Sequence, residues 1–107
     1  NQVVTNGVKI ESRNADLTQT DKFELFQNVP NPFNTSTIIG FNLPTAEQVT
    51  LKIYDLTGKQ VYQTKGQYAK GYNTINLEVS TLNLNGVLYY QLDTENYSAT
   101  RKMIVIK

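Results

Sequence analysis

Asp93 and Glu95 are the closest pair of carboxylates beyond Phe23 that could share a proton or hold a cation. The chain gives them little to work with. It has no His and no Cys, so the usual general bases, nucleophile partners and zinc ligands are missing, leaving carboxylates, Lys, Ser, Thr and Tyr. The two acids flank the short turn Thr94-Glu95-Asn96, where acids are common, and calcium needs several converging oxygens that this turn does not supply. They read as turn residues, and no catalytic residue, metal site or cofactor is expected. Seven tyrosines without a tryptophan could form a sugar-stacking face. Yet Tyr54, Tyr62, Tyr72, Tyr89 and Tyr90 all fall in runs with strand character, where tyrosine packs well on a pleated surface, so packing is the preferred reading. Asn34-Thr35-Ser36 and Asn96-Tyr97-Ser98 match the N-glycosylation triplet, a pattern too common to carry a function here.

The end of the chain carries a sharper signal. Met103 and Val105 fall on one face of a strand and Ile104 and Ile106 on the other, so either both faces are covered or an apolar strip is left open. Arg101, Lys102 and Lys107 bracket this strip, and no acid follows Glu95. An apolar tag framed by cations is suited to a receptor, and an edge strand there is suited to strand addition by a partner.

The elements that must position these residues are strands. At 107 residues the chain allows one domain, or one domain with a tail. Ten basic and nine acidic residues leave a formal charge of +1, so no nucleic-acid footprint is present. Without Cys the redox compartment cannot be read, and no apolar run is long enough to cross a bilayer, so no membrane insertion is expected. The N-terminus lacks a signal-peptide layout; an exported protein would carry that segment upstream. Residues 1–22 are polar and read as a linker or the end of a preceding domain, with Val8-Lys9-Ile10 as a possible short edge strand. From Phe23 to Lys107 the dominant pattern is alternation. Thr37, Ile39, Phe41 and Leu43 share a face, as do Val49, Leu51 and Ile53, then Asn73, Ile75, Leu77 and Val79, then Leu88, Tyr90 and Leu92. Asp55-Leu56-Thr57-Gly58 reads as a hairpin turn whose Gly58 takes a positive φ, and residues 66–71 as a longer polar loop. Ser80–Asn85 is a connection in which Leu82 and Leu84 tuck under the sheet, and a strand opening at Gly86 pairs with Tyr97–Lys107. Seven or so short strands with turns every eight to twelve residues predict an all-β, immunoglobulin-like antiparallel β-sandwich.

One stretch stands apart from the alternation. In Gln27-Asn28-Val29-Pro30-Asn31-Pro32-Phe33-Asn34 two prolines fix φ, remove donors and push Val29 and Asn31 toward extended backbone, so the segment cannot be helix or central strand. It reads as a stiff lead-in that plugs Phe33 into the strands beyond it, with Asn31 and Asn34 bonding nearby backbone to hold the bend. After it come Thr37–Pro44, Val49–Asp55 with Gly58, then Gly71, Leu82, Gly86-Val87, Tyr90, Arg101-Lys102-Met103 and the closing Lys107. This ordered series, from about Phe23 to Lys107, resembles the type A C-terminal sorting domain of type IX (Por) secretion cargo from Bacteroidetes-like bacteria. Two positions depart from the family pattern, Leu88 and Asn73, where an aromatic is more usual.

The resemblance implies the same fold and a non-enzymatic targeting module on a secreted or surface-attached protein. The cargo would cross the inner membrane, fold in the periplasm and be recognised at the outer membrane by the type IX translocon. A sortase-like peptidase would remove the domain near the segment before Phe23 and can join the cargo to lipopolysaccharide. Translocon recognition is expected at Gly86, Tyr90, Arg101, Lys102, Met103, Ile104, Val105, Ile106 and Lys107. A structural role in the family motif is expected of Pro30, Asn31, Pro32, Phe33, Asn34, Tyr54, Asp55, Gly58 and Gly71. The alternatives are an immunoglobulin-like adhesion, carbohydrate-binding or spacer module, or an accessory domain of an upstream enzyme.

Overall fold

The protein is described by a computed structural model, which covers residues 22–82 and 85–106. Seven strands form two antiparallel sheets packed face to face: β1 (Glu24–Leu25), β2 (Ser36–Leu43) and β5 (Gly71–Glu78) in the order β1-β2-β5, against β3 (Glu47–Tyr54), β4 (Gln60–Tyr68), β6 (Gly86–Asp93) and β7 (Ser98–Val105) in the order β4-β3-β6-β7. The expected all-β sandwich is present. Residues 1–21 of the expected linker 1–22, with Val8–Ile10, and residues Leu84 and Lys107 lie outside the described residues.

Alternation sets the packing. Ile39, Phe41 and Leu43 from β2 meet Val49, Leu51 and Ile53 from β3 and Leu88, Tyr90 and Leu92 from β6, all essentially sealed from water. Each inward set lies on a single strand face because successive residues point to opposite sides of the pleat. On β5 the expected phase holds, with Leu77 buried and Tyr72, Thr74, Asn76 and Glu78 exposed. Val79–Leu82 winds one helical turn that buries Leu82 beneath the sheets, as expected, before the chain reaches Gly86.

The expected loop from Gly66 to Gly71 is overturned. β4 stays paired to β3 through Tyr68↔Glu47, so only Ala69 and Lys70 separate it from β5. Gly66 is tolerated in the strand because the Tyr68 ring folds back over it; a Cβ at Gly66 would lie 2.9 Å from that ring. An aromatic covering a glycine on the same face supplies the contacts that the missing side chain cannot. The same device recurs outside the other sheet, where Tyr72 leans over Gly40 and meets the Phe26 ring at 5.9 Å. Tyr72 therefore covers the sheet exterior while Asn73 faces inward and donates its amide to the Ala69 and Gly71 carbonyls.

Candidate recognition surface

The segment from Phe26 to Phe33 is a strap that leaves one sheet and closes the edge of the other. It begins on β2, with Phe26 N–H donating to Gly40 O at 2.9 Å and Val29 exchanging both backbone bonds with Ile38. Pro30 ends that pairing, since it has no N–H to offer. The strap then crosses to β7, where Phe33 N–H donates to Ile104 O at 3.1 Å and Ile106 N–H donates to Phe33 O at 2.8 Å, a parallel bridge to Val105. Both X-Pro bonds, Val29-Pro30 and Asn31-Pro32, are cis. Phe33 is buried in the core, so the expected plug is present. Asn31 does not hold the local bend as expected. Its side-chain oxygen instead accepts the Ile104 N–H at 2.9 Å, because the strap brings it to an edge whose donors point outward.

Three further contacts fix the strap and a fourth fixes β1, which leads into it; each joins residues far apart in sequence. The Tyr90 hydroxyl accepts the Asn28 N–H and donates to Phe26 O. Burial pushes the Tyr90 phenol up, with the Asn28 bond and the Arg101 charge opposing the shift. The Gln27 amide donates to Lys102 O at 2.7 Å, and Arg101 Nε donates to Leu25 O at 2.7 Å. Asn28 is itself buried, its amide donating to Pro30 O and Thr37 Oγ1, while the Thr37 hydroxyl also donates to Pro30 O. This polar hub is satisfied on every side, as a buried amide must be.

At the same end of the sandwich lies the β3–β4 turn. The Asp55 carboxylate accepts the Thr57 hydroxyl at 2.6 Å and the backbone N–H groups of Thr57 and Lys59, closing an Asx-type turn with Gly58 at φ 90. The Thr57 hydroxyl bond, with the two backbone donors and the Lys59 charge, outweighs desolvation and holds the Asp55 carboxyl below its usual range. A groove of about 250 Å³ runs between Asp55–Thr57 and Asn85–Leu88. Gly86 sits in it at φ 102, opposite Val105 in register; open space surrounds it, so backbone conformation rather than crowding requires glycine there. A second groove of about 230 Å³ lies between Pro30, Pro32, Phe33 and Asn34 on the strap and Ile106 beyond β7. Leu56, Val29 and Ile106 stand exposed around these grooves.

The residues expected to be read by a partner therefore separate into two groups. Tyr90, Met103 and Val105 are buried, and reach the surface only through the groups they hold in place. Gly86, Arg101, Lys102, Ile104 and Ile106 are accessible, and Lys107 lies outside the described residues. Arg101 and Lys102 differ in kind: Arg101 is tied to Leu25, whereas the Lys102 ammonium has no partner among the described residues. The strap, Asp55–Gly58 turn and Gly86 converge on this end, with Tyr54 opposite Tyr89 on the adjoining rung. Gly71 lies at the other end, opposite Leu43.

Three acids gather at that far end. Glu47, Asp93 and Glu95 border a groove of about 630 Å³, but Lys52 pairs with Asp93 at 3.2 Å, and no group of carboxylates able to hold a metal occurs among the described residues. Burial works against the Asp93 charge, yet hydrogen bonds from Ser98 and Gln91 and the Lys52 ammonium hold its carboxyl below the usual range. Sequence reasoning missed Gln27, Asn28 and Thr37, and assigned Arg101 no tie to Leu25. The period of two put Thr37 on the buried face of β2 but not in this hub, and no local period marks Gln27 or Asn28.

The family profile described as secretion system C-terminal sorting domain matches residues 29–107, from the middle of the strap to the last residue. The chain belongs to this family. No curated protein matches the chain. The sorting domain begins, in this match, where the strap turns from β2 toward β7, and it takes in both grooves. The family is one of type IX secretion signals rather than catalysts, which implies dealings with the secretion machinery and export to the cell surface or beyond. At the two departures from the family pattern, Leu88 is buried in the core and Tyr72 covers the sheet beside Asn73.

Proposed function

We propose that this sorting domain directs an upstream cargo from the periplasm through the outer-membrane type IX translocon, and that the strap end of the sandwich is the surface the translocon reads. One observation carries this reading: residues far apart in the sequence, Pro30, Pro32, Phe33, Asn34, Asp55, Gly86 and Ile106, border two grooves at the end of the fold where Val105 lies opposite Gly86 and bridges to Phe33. Scaffold alone accounts for Phe33, Tyr90, Met103 and Val105, which fill the core. It does not account for Leu56, Ile106 and Lys102, which contribute little packing and stay exposed. Arg101 and Lys107 are part of the same proposed signal as further cations of the chain's last segment. A sortase-like peptidase would then cut in the segment before Phe23, where the domain ends.

Fusing Phe23–Lys107 to a folded reporter with a signal peptide tests the reading. Delivery of the reporter to the surface or medium of a type IX-competent host is the expected result. An intact, folded fusion held in the periplasm would overturn it. The sandwich would serve equally as an adhesion or spacer module, and that role predicts binding to a carbohydrate or matrix array with no dependence on the host's secretion system.

A further inference from the structure

β7 is the outermost strand of its sheet, yet its free edge is already occupied by a piece of its own chain. The strap runs along it in the parallel direction. Gln27 bonds Lys102 O, Asn31 bonds Ile104 N–H, and Phe33 takes Ile104 O and Ile106 N–H. Outward backbone groups on alternate residues are satisfied and one aromatic is seated in the core, which is how a peptide docks on a sheet edge. The hold is nevertheless sparse. Pro30 and Pro32 cannot donate, and two of the four bonds come from side-chain amides, whereas the other side of β7 has a continuous ladder from Gly86↔Val105 to Asp93↔Ser98. The strap side therefore opens at a lower free energy than the ladder side.

We propose that the outer edge of β7 is a strand-exchange site. An extended segment of the secretion machinery, carrying a large apolar side chain where Phe33 now sits, takes the strap's place along Lys102–Ile106. The strap itself specifies the partner's chemistry: an aromatic for the Phe33 socket, and a backbone N–H and C=O for Ile104 O and Ile106 N–H. A partner with a full set of backbone donors can exceed what the proline-broken strap provides. The outer edge of β4 presents a nine-residue strand but no such socket, since Gln60, Gln63, Lys65 and Gln67 alternate with inward residues already packed. This proposal rests on the targeting reading above and concerns where the machinery grips.

A synthetic peptide with the sequence Gln27–Asn34, titrated into the full chain bearing Phe33→Ala, tests the site directly. The substitution empties the socket and weakens the strap. Saturable shifts of the Ile104 and Ile106 amide resonances, with a higher melting temperature, are expected; the same peptide with Ala in place of its Phe should do neither. Absence of those shifts, or shifts confined to β4, would overturn the proposal. If the Phe33→Ala chain does not fold, Asn31→Ala serves instead, because it removes one strap bond at an exposed position and leaves the core intact. Export of the wild-type fusion is measured separately, so the targeting reading and the strand-exchange site can fail independently.

Discussion

The Tyr90 hydroxyl sits between Asn28 and Phe26, accepting the N–H of the first at 2.9 Å and donating to the carbonyl of the second at 2.7 Å. A side chain from the middle of β6 thereby satisfies two backbone groups of the strap that its pairing with β2 leaves over. Tyr90→Phe keeps the ring in the core but orphans both groups. Leaving buried polar groups unmade costs about 1–3 kcal/mol, so the substitution should lower the melting temperature by several degrees while far-ultraviolet circular dichroism stays native. A melt equal to wild type would show that water replaces the hydroxyl at no cost.

Arg101 and Lys102 should behave differently despite being adjacent cations. Arg101→Ala removes the bond to Leu25 O that ties β1 to β7 and should cost about 1 kcal/mol. Lys102→Ala should change stability by less than about 0.5 kcal/mol, the usual range for a surface position without such a feature. Export of a reporter fusion is expected to fall in the Lys102 variant with its melt preserved. Unchanged export would return Lys102 to the status of a solvated strand residue.

Gly58 occupies φ 90 in the Asp55 turn with nothing within 4 Å of a would-be Cβ. Gly58→Val therefore meets no clash, only an unfavourable backbone, and the expected loss is about 1–3 kcal/mol. A thermal melt of the variant measures it directly. Gly58→Asn should recover much of that loss, because Asn tolerates the left-handed region far better than a β-branched residue.

Acid should weaken the fold through Asp55 and Asp93. Both carboxyls are held below their ordinary values, Asp55 chiefly by the Thr57 hydroxyl bond, Asp93 by Ser98, Gln91 and Lys52 against the opposing effect of burial. A depressed carboxylate contributes stability that is fully present above its unfolded pKa, near 3.9, and is lost as pH falls through the folded value. Melting temperature should be flat around neutrality and drop below about pH 4. Asp55→Asn should melt lower than wild type at pH 7, and the gap should close in acid. A gap that is constant with pH would mean the turn does not depend on the charge.

The Tyr72 ring lies where a side chain at Gly40 would go, its hydroxyl 2.5 Å from the Cβ position. Tyr72 is an exposed side chain and can swing away, so Gly40→Ala should cost its ring contacts rather than break the backbone. In a Tyr72→Ala background the same change should be neutral or stabilising by about 0.5–1 kcal/mol, since alanine suits a strand interior better than glycine. Equal effects of Gly40→Ala in both backgrounds would show that the two residues are not coupled.

Strand faces were legible because they are local. The sets Ile39-Phe41-Leu43, Val49-Leu51-Ile53 and Leu88-Tyr90-Leu92 each repeat at a spacing of two, and that spacing alone puts them on one side of a pleat. The Asp55–Gly58 turn was legible for the same reason, its capping carboxylate and glycine lying within four residues. Gly66 misled because a glycine among polar residues reads as loop, whereas its cover by Tyr68 depends on pairing with β3.

By itself the sequence determined a sandwich of short alternating strands, a proline-stiffened segment that seats Phe33, and the absence of His and Cys chemistry. Tertiary structure alone decided that this segment straps β7, that Tyr90 fastens it while Arg101 ties β1 to β7, and that the β7 edge is taken rather than free. The physical reason is separation along the chain. Those contacts join residues 62 to 76 positions apart, and they are made by single side chains to backbone groups whose position depends on the packed sheets. A period of two reports which way a residue points; it carries no information about which distant carbonyl will be there to meet it.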